Sequence, residues 1–169
     1  MGDPKKSRRK WQGPRHPWRQ ENLNAELSLL GKYGLRNKRE LWTANTLLKS
    51  YRERASTILA EEDPEVRNAE ERKLVLKLAT LGLLNEDAVL DNILSLSVEN
   101  ILDRRLQHVI VKLGYAATPF QARQLIVHGH VFVNGRRVTS PGYLVKRDEE
   151  SKITCDIQVT HGEVAAEAA

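Results

Sequence analysis

The stretch from residue 104 to residue 147 carries cations without acidic counterparts, a composition suited to binding phosphate. It has eight Lys and Arg residues and no Asp or Glu, whereas the whole chain has 27 Lys+Arg against 22 Asp+Glu. Guanidinium groups hold phosphate oxygens through paired N–H groups, and structured RNA presents phosphates over a surface of this size. We therefore expect Arg123 and Arg136 to touch phosphate. Alanine at either position should weaken RNA binding and flatten its salt dependence by about one ion.

Charge is arranged in blocks along the 169 residues. Residues 1–54 carry a net +9, residues 55–103 a net −7, residues 104–147 a net +8 and residues 148–169 a net −5, within a formal net charge of +5. A polyanion is expected to lie against the two basic blocks. The acidic run at 61–71 is most simply the solvated start of a helix, with carboxylates at the positive end of the dipole. A docking surface for a basic protein is the alternative.

Other site chemistries lack the residues they require. His128 and His130 stand one residue apart with no further ligand near in sequence, so we expect helix-end capping or hydrogen bonds to RNA or backbone rather than a metal site. Cys155 is the only cysteine, which excludes an internal disulfide and a thiolate zinc cluster and favours a reducing compartment. No nucleophile–base pattern or phosphate-loop motif is present, so the sequence predicts neither an enzyme nor a cofactor. No apolar stretch is long enough for a spanning helix, and no apolar region follows the basic start, so we expect a soluble intracellular protein without a membrane partner.

The first 20 residues are predicted to form a basic arm that is disordered in isolation. They contain three prolines and two tryptophans and show no helical or alternating apolar period, so they cannot bury enough surface to fold alone. A solvated tail is one interpretation. However, tryptophan is costly to leave in water, which favours an arm that orders against a polyanion through stacking and phosphate contacts. The expected RNA-binding residues of the arm are Lys5, Lys6, Arg8, Arg9, Lys10, Trp11, Arg15, Trp18 and Arg19.

Residues 21–102 have the apolar periodicity of a helical bundle. A first helix is expected on the stripe Leu23, Leu27 and Leu30, ending near Gly31 or Gly34. The second helix, which ends before Pro64, has two faces. Its predicted buried stripe is Leu41, Ala44, Leu48, Tyr51, Ala55, Ile58 and Leu59, and its opposite face carries Lys38, Arg39, Lys49, Arg52 and Arg54, of which Lys38, Arg39 and Arg52 are expected to bind RNA.

Three shorter helical segments are expected to follow. The first of them runs from about 65 to 81, with Val66 and Ala69 marking one face and Lys73 and Lys77 the other. Asn85 is suited to cap the next helix and Ser97 the one after it, because short oxygen-bearing side chains accept hydrogen bonds from free helix amides.

The basic segment 104–147 reads as two short helices followed by a small sheet. Leu106, Val109, Ile110 and Leu113 form the stripe of the first helix, which also carries Arg104, Arg105 and Lys112, and Gly114 closes it in the left-handed conformation. Thr118 caps the second helix, Pro119 begins it and Gln121 completes a capping box. Its residues Ala122, Leu125 and Ile126 face the core, Arg123 and Gln124 lie on the accessible side, and Gly129 ends it after His128.

The predicted sheet begins with a hairpin. Asn134-Gly135 lies between Val131-Phe132-Val133 and Arg136-Arg137-Val138, and this dipeptide favours a type I′ turn because both residues tolerate positive φ. Pro141-Gly142 marks another turn, and Tyr143-Leu144-Val145 is predicted as the third strand. The fold class is therefore α+β, a mostly helical N-terminal region followed by a module of two short helices and a small twisted sheet.

This segment resembles the S-four RNA-binding module, a small αL-type domain. The resemblance rests on a composite in the expected order, namely RRLQ at 104–107, QARQLI at 121–126, HGHV at 128–131, VNG at 133–135 and RRV at 136–138. PRHPW at 14–18, KYGLRNKRELW at 32–42 and LSVENILDRRLQ at 96–107 extend the resemblance to small-subunit ribosomal protein S-four of the archaeal and eukaryotic type. The match covers nearly the whole chain and ends near Cys155.

The resemblance implies an RNA face made of the start of the first module helix, the second helix and the hairpin. Arginines would clamp phosphate, Gln and Asn would reach phosphate, ribose or base edges, and Asn134 would serve the turn more than a contact. The zinc-binding cysteine cluster found in bacterial members has no counterpart here. The residues implicated are Arg104, Arg105, Gln121, Arg123, Gln124, His128, His130, Asn134, Arg136 and Arg137, to which charge adds Lys112.

By resemblance, the protein is expected to be a structural component of the small ribosomal subunit in the cytoplasm. It would bind small-subunit rRNA and nucleate assembly of part of the subunit body. It would contact neighbouring proteins, including one at the messenger entry side, with messenger RNA nearby. It would also contribute to translational accuracy. It would not form a homo-oligomer. The expected division is an arm at 1–20, a helical domain at 21–102, the RNA-binding module at 103–160 and a flexible tail at 161–169. A free-standing targeting module of an RNA-modifying enzyme, or a stress-type ribosome binder, is the alternative, against which the basic helical N-terminal half argues.

Overall fold

The computed structural model describes residues 9–85 and 88–157 of the chain. Lys5, Lys6, Arg8 and the predicted tail at 161–169 lie outside the described residues. The elements of the described part are α1 (Gln20–Tyr33), α2 (Lys38–Leu59), α3 (Pro64–Thr80), α4 (Leu90–Ser95), α5 (Val98–Asp103), α6 (Leu106–Lys112), α7 (Pro119–His128), β1 (Val131–Val133), β2 (Arg136–Arg137), α8 (Arg147–Glu150) and β3 (Ile153–Cys155).

The predicted boundary between α1 and α2 is confirmed at Gly34 rather than Gly31. Gly34 has φ +58° and its amide donates to the carbonyls of Gly31 and Leu30, the left-handed termination that glycine favours. Asn37 caps α2, since its side chain accepts a hydrogen bond from the Glu40 amide at 3.2 Å. The predicted stripe of α1 is wrong at Leu27, which is 59% exposed because no element covers that face.

The long helix α2 buries the stripe that its periodicity predicts. Leu41, Ala44, Leu48, Tyr51, Ala55 and Ile58 are all buried, whereas Leu59, the last residue of the helix, is largely exposed. The other elements of the helical lobe, defined here as α1 to α5, pack around this stripe. The lobe core contains Leu41, Leu48, Ile58, Leu78, Ile93, Ile101 and Leu102, among others.

The third helix packs differently from the prediction. Val66 and Ala69 are exposed, and the buried residues are Leu74, Val75, Leu78 and Ala79 in its C-terminal half. The reason is that Leu74 and Leu78 of that half join the lobe core, whereas the first half meets α2 through the surface pair of Glu70 with Arg54.

Of the two predicted caps, one is confirmed. Ser97 is the N-cap of α5, where its amide donates to the side chain of Asn100. Asn85 does not cap α4, because that helix begins at Leu90 with Val89 in the N-cap position and no side-chain hydrogen bond. Residues 86 and 87, whose amides Asn85 was expected to bind, lie outside the described residues.

The two module helices begin and end largely as predicted. Thr118 Oγ1 accepts from the Gln121 amide at 3.3 Å, while the Gln121 side chain accepts from the Ala117 amide at 2.9 Å, one residue earlier than in a standard capping box. Gly114 and Gly129 both have φ +81°. Leu113 follows the end of α6 and is 42% exposed, so the predicted stripe is wrong at that position.

The hairpin is confirmed and the third strand is corrected. Asn134 and Gly135 have φ of 52° and 73°, as a type I′ turn requires, and Val133 pairs with Arg136. Tyr143-Leu144-Val145 is not a strand, since only Leu144 forms an isolated bridge, with Arg105. The third strand is Ile153–Cys155, which pairs antiparallel with β1 and gives the order β2-β1-β3.

These elements form two adjoining apolar cores in an α+β arrangement, which confirms the predicted class. The second core belongs to the module, defined here as residues 104–157, and contains Leu106, Ile110, Ala122, Ile126, Val131, Val145 and Ile153, among others. Tyr33 of the lobe contacts the module, because it is buried and its ring centroid lies 5.3 Å from that of His108 in α6. In the two described ranges we find no helix with the length and hydropathy needed to cross a membrane.

Candidate nucleic-acid interface

Arg105 and Arg123 converge on one carboxylate between the helical lobe and the module. Arg105 Nη2 lies 2.5 Å from Glu40 Oε2, and Arg123 Nη2 lies 2.7 Å from Glu40 Oε1. The side chains are 9%, 22% and 20% exposed for Arg105, Arg123 and Glu40 respectively. The prediction that Arg123 lies on the accessible side of α7 is therefore wrong, because the first turn of α2 covers it.

Gln107 completes this contact, and the four residues Glu40, Arg105, Gln107 and Arg123 are called the lobe junction below. Gln107 is 1% exposed. Its amide nitrogen lies within hydrogen-bond distance of the carbonyls of Gly34 at 2.9 Å and Pro119 at 2.8 Å, and its oxygen accepts from Arg123 at 3.3 Å. A buried amide bonded on both sides fixes the end of α1 against the start of α7.

The charge state of Glu40 follows from its surroundings. Burial raises the pKa of the Glu40 carboxyl, but hydrogen bonds and charges from Arg123 and Arg105 outweigh this effect, and the pKa lies below its ordinary value of 4.5. Glu40 is therefore ionised at neutral pH, and it neutralises one of the two guanidinium charges at the lobe junction.

Arg104 is also held inside the protein. It precedes α6 rather than lying on it, its Nη1 is 2.9 Å from Glu150 Oε2, and its Nη2 donates to the Val145 carbonyl at 3.1 Å. Lys112 lies on α6 as predicted and is 68% exposed, with its Nζ 3.9 Å from Glu150 Oε1. Of these two cations, only Lys112 presents its charge to solvent.

The β1–β2 hairpin carries cations that face solvent. The side chain of Arg136 is exposed and makes no hydrogen bond or ion pair within the described ranges 9–85 and 88–157. Arg137 is partly engaged, since its Nε donates to the Gly129 carbonyl at 2.7 Å and its Nη2 to the His128 carbonyl at 3.0 Å. These bonds fasten β2 to the end of α7. Asn134 turns the hairpin, and its Nδ2 lies 3.4 Å from Glu149 Oε1.

His128 and His130 lie beside this hairpin. Their ring centroids are 6.5 Å apart. Across residues 9–85 and 88–157 no three His, Cys, Asp or Glu side chains are grouped so as to hold a metal ion. The two rings, one exposed and one half-buried, are placed to offer nitrogen atoms to a ligand at the end of α7.

The arm residues Arg9 to Gln12 lie against α2. The Trp11 and Trp42 ring centroids are 5.2 Å apart, Arg9 lies 3.6 Å over the Trp11 ring, and the Gln12 amide donates to Thr46 Oγ1 at 2.9 Å. Arg39 lies 5.8 Å from the same ring. Trp11 was expected to stack on RNA, but the structure engages its ring with the protein itself.

The remaining arm residues of the prediction are exposed. Trp18 is 87% exposed, and Lys10 and Arg15 have no polar partner within the described ranges. Arg19 lies 3.0 Å from Glu21 in an exposed pair, which contributes little because water screens both charges.

The basic face of α2 is only partly available. Lys38 Nζ is 2.9 Å from Glu26 Oε2, with the two side chains 30% and 13% exposed. Arg52 donates to the Leu96 carbonyl at 2.5 Å and so joins α2 to the end of α4. Arg39 is the third predicted RNA-binding residue of this face. Its side chain is exposed and has no carboxylate or carbonyl partner within the described residues.

Sequence reasoning missed the residues that bind these arginines, Glu40 and Gln107 above all. A signal for Glu40 was present, because it is the only carboxylate between residues 27 and 52. The predicted site residues that the structure leaves exposed or half-buried, without a carboxylate or carbonyl partner for the side chain, are Lys10, Trp11, Arg15, Trp18, Arg39, Gln121, Gln124, His128, His130 and Arg136.

The fold and the hairpin site agree with the comparisons to known proteins. The S4 domain family matches residues 104–151, which makes this a protein of the S4-domain class. The chain is 56% identical over 153 residues to small ribosomal subunit protein uS4 of Hyperthermus butylicus, covering 90% of this chain and 86% of that protein. It is 56% identical over 154 residues to uS4 of Sulfurisphaera tokodaii, covering 90% and 86%, and 55% identical over 153 residues to uS4 of Ignicoccus hospitalis, covering 90% and 92%.

The chain belongs to the family of small ribosomal subunit protein uS4, and its similar relatives are archaeal. The resemblance inferred from the sequence motifs is thereby confirmed. The relatives are named as ribosomal proteins and not as enzymes, in agreement with the expectation that the chain has no catalytic role.

Proposed function

We propose that this protein is a structural component of the small ribosomal subunit that binds small-subunit rRNA directly, in the cytoplasm as part of the ribosome. The observation that carries the proposal is the identity of 56% over 90% of the chain to proteins of that name. The distribution of charge supports it, since two blocks of net +9 and net +8 lie at 1–54 and 104–147.

The RNA-binding surface in this proposal consists of two described parts. The first is the hairpin with the adjacent end of α7, where Arg136 supplies an unpaired guanidinium and Gln124, His128 and His130 supply hydrogen-bonding groups. The second is the arm with the neighbouring face of α2, where Lys10, Arg15 and Arg39 are exposed. Cations without a protein partner bind phosphate more favourably than paired ones, because no existing ion pair has to be broken.

The lobe junction gives these two parts a fixed relation. Gln107 and the pairs of Glu40 with Arg105 and Arg123 connect the lobe to the module through nearly buried groups. A protein that presents two basic surfaces in a fixed relation holds separate RNA helices together. We propose on this ground that the protein nucleates assembly of part of the subunit body.

Further roles follow from the family rather than from the geometry. We propose contacts with neighbouring small-subunit proteins, including one at the messenger entry side, with messenger RNA nearby, a contribution to translational accuracy, and no homo-oligomer. The proposed division is an arm at 1–20, a helical domain at 21–102, the module at 103–160 and a tail at 161–169. The contacts of Trp11 with Trp42 and of Gln12 with Thr46 support an arm that lies along the helical domain.

Sedimentation of cell extract in low and high salt tests the central proposal. We expect the protein to sediment with the small subunit in low salt and to be released as salt rises, because the proposed contacts are between unpaired cations and phosphates. A pool that stays free of small subunits in both conditions would contradict the proposal. Chemical footprinting of the protein on small-subunit rRNA would then identify the helices it protects.

A further inference from the structure

The three tryptophans of the chain lie in contrasting environments. Trp11 and Trp42 are half-buried and in contact, with their rings tilted by 35° to each other, and Trp42 Nε1 donates to Glu26 at 2.9 Å. Trp18 is 87% exposed and makes no ring contact or hydrogen bond within the described ranges. An indole exposes a large apolar area that water solvates poorly. The fold therefore provides no intramolecular reason for tryptophan at position 18.

The chain neighbours of Trp18 are basic, and in the described part of the chain the next exposed large apolar side chain after it is Leu27, nine residues away. It lies in a turn before α1, between the exposed side chains of Arg15, His16 and Arg19. Glu21, which pairs with Arg19 at 3.0 Å, is the acidic residue of the first turn of α1. An apolar protein surface would need a contiguous apolar patch here. A single aromatic ring among cations instead suits a planar base attached to a phosphate backbone.

We propose that Trp18 is a stacking site for an unpaired base of RNA, with Arg15 and Arg19 on the flanking phosphates. This inference rests on the proposed RNA-binding function and deepens it, because it assigns the two arm tryptophans different roles. Trp11 attaches the arm to α2, and Trp18, seven residues further on, meets the nucleic acid. Any of the four bases would serve, since each has a π face.

Replacement of Trp18 in the full chain tests the stacking. With a small-subunit rRNA transcript as the probe, we expect W18A to bind about tenfold more weakly, and W18F to bind within about threefold of the wild type, because phenylalanine retains a ring. Thermal unfolding should be unchanged in both variants, since the side chain packs on nothing. L27A removes a 59% exposed apolar side chain of α1 and serves as the matched control, with unchanged binding.

Fluorescence gives a readout that a merely structural role would not change. We expect RNA to quench tryptophan emission and to protect it from acrylamide in the wild type, and both effects to be mostly lost in W18F, because the other two indoles are half-buried against each other. If the wild type binds RNA but W18A binds equally well, or if W18F shows the same quenching, the stacking site is wrong and the proposed function stands. If the wild type itself binds no small-subunit rRNA, the proposed function fails instead.

Discussion

The lobe junction and the β1–β2 hairpin use arginine in opposite ways. At the junction, Arg105 and Arg123 are mostly buried and both bind the carboxylate of Glu40. At the hairpin, the side chain of Arg136 is exposed and has no polar partner within the described ranges. All three arginines lie in the basic segment 104–147. Two of them are held in contacts within the protein, and the third, Arg136, is available to a ligand.

The difference shows that the location of a carboxylate decides what a cation does. By charge count alone, the eight cations of segment 104–147 are equivalent, but Glu40 reaches two of them from a helix more than 60 residues earlier. A guanidinium already bound to a partly buried carboxylate gains little from phosphate unless that pair is broken. Exposed Arg136 incurs no such cost.

Removal of the shared carboxylate should have the largest effect. E40Q leaves two mostly buried guanidinium groups without their counter-charge, and we expect the free energy of unfolding to fall by about 3 kcal/mol. Urea denaturation measures this change. The control is E53Q, which alters an exposed pair with Lys49 on the same helix and should change stability by less than about 0.5 kcal/mol. If E40Q and E53Q lowered the free energy of unfolding equally, the pairs at the lobe junction would stabilise the protein no more than an exposed pair, contrary to this prediction.

A methyl group at Gly34 should be the next most damaging change to the junction. Gly34 has φ +58°, and an added Cβ would lie 2.8 Å from Pro119 Cβ and 2.9 Å from Gln107 Nε2. We expect G34A to lower the melting temperature and to cost about 2 kcal/mol through strain and displacement of α7. G31A is the matched control, because a Cβ there meets nothing within 4 Å and alanine favours the helix. A G34A protein as stable as G31A would show that the contact is loose.

RNA binding should separate Arg136 from Arg123. We expect R136A to reduce the slope of log Kobs against log salt by about one and to weaken binding severalfold, because one phosphate contact is lost. R123A should leave the slope unchanged when measured well below its unfolding temperature. This replaces the expectation from sequence that both behave alike. The control is R72A, an exposed cation in the acidic block, whose slope should match the wild type. A reduced slope for R123A would place its guanidinium on RNA after all.

The smallest expected effect is the loss of stability at acidic pH as Glu40 is protonated. The pKa of Glu40 is lower in the folded protein than its ordinary value of 4.5, so the unfolded chain takes up the proton first as pH falls. The stabilisation by Glu40 is therefore fully present above about pH 4.5 and is lost as pH falls through the folded pKa. We expect the stability difference between wild type and E40Q to shrink below that pH in denaturation experiments. A difference that stays constant down to pH 3 would exclude the pairing.

Local patterns predicted much of the fold. The buried stripe of α2, the Thr118 cap, the ends at Gly114 and Gly129 and the Asn134-Gly135 turn are determined by neighbours within a few residues, so the sequence sufficed for them. The third strand was misplaced because Tyr143-Leu144-Val145 has strand-like residues but lies beside Arg105, while Ile153–Cys155 reaches the free edge of β1. Pairing across such a distance depends on the path of the chain rather than on local propensity.

For the candidate site too, predictions from residue type and spacing succeeded, and those that depended on contacts between distant segments failed. Composition and spacing identified the basic module, and the comparisons confirm the family that those motifs indicated. They could not show that Arg104, Arg105 and Arg123 turn inward, because Glu40 and Glu150 are distant in sequence from most of their partners. Nor could they distinguish Trp11 from Trp18, since the partner of Trp11 is Trp42 on α2.

The sequence by itself therefore determined the family, the α+β class, the hairpin and the presence of two basic blocks, because each of these depends on residue type and short spacing. Only the tertiary structure decided which cations remain available. A buried charge must find a partner to offset its lost hydration, and that partner can come from any part of the chain that folding brings within about 3 Å. Folding brings no such partner to the side chain of Arg136 within the described residues, and it stays exposed, as does the uncharged ring of Trp18.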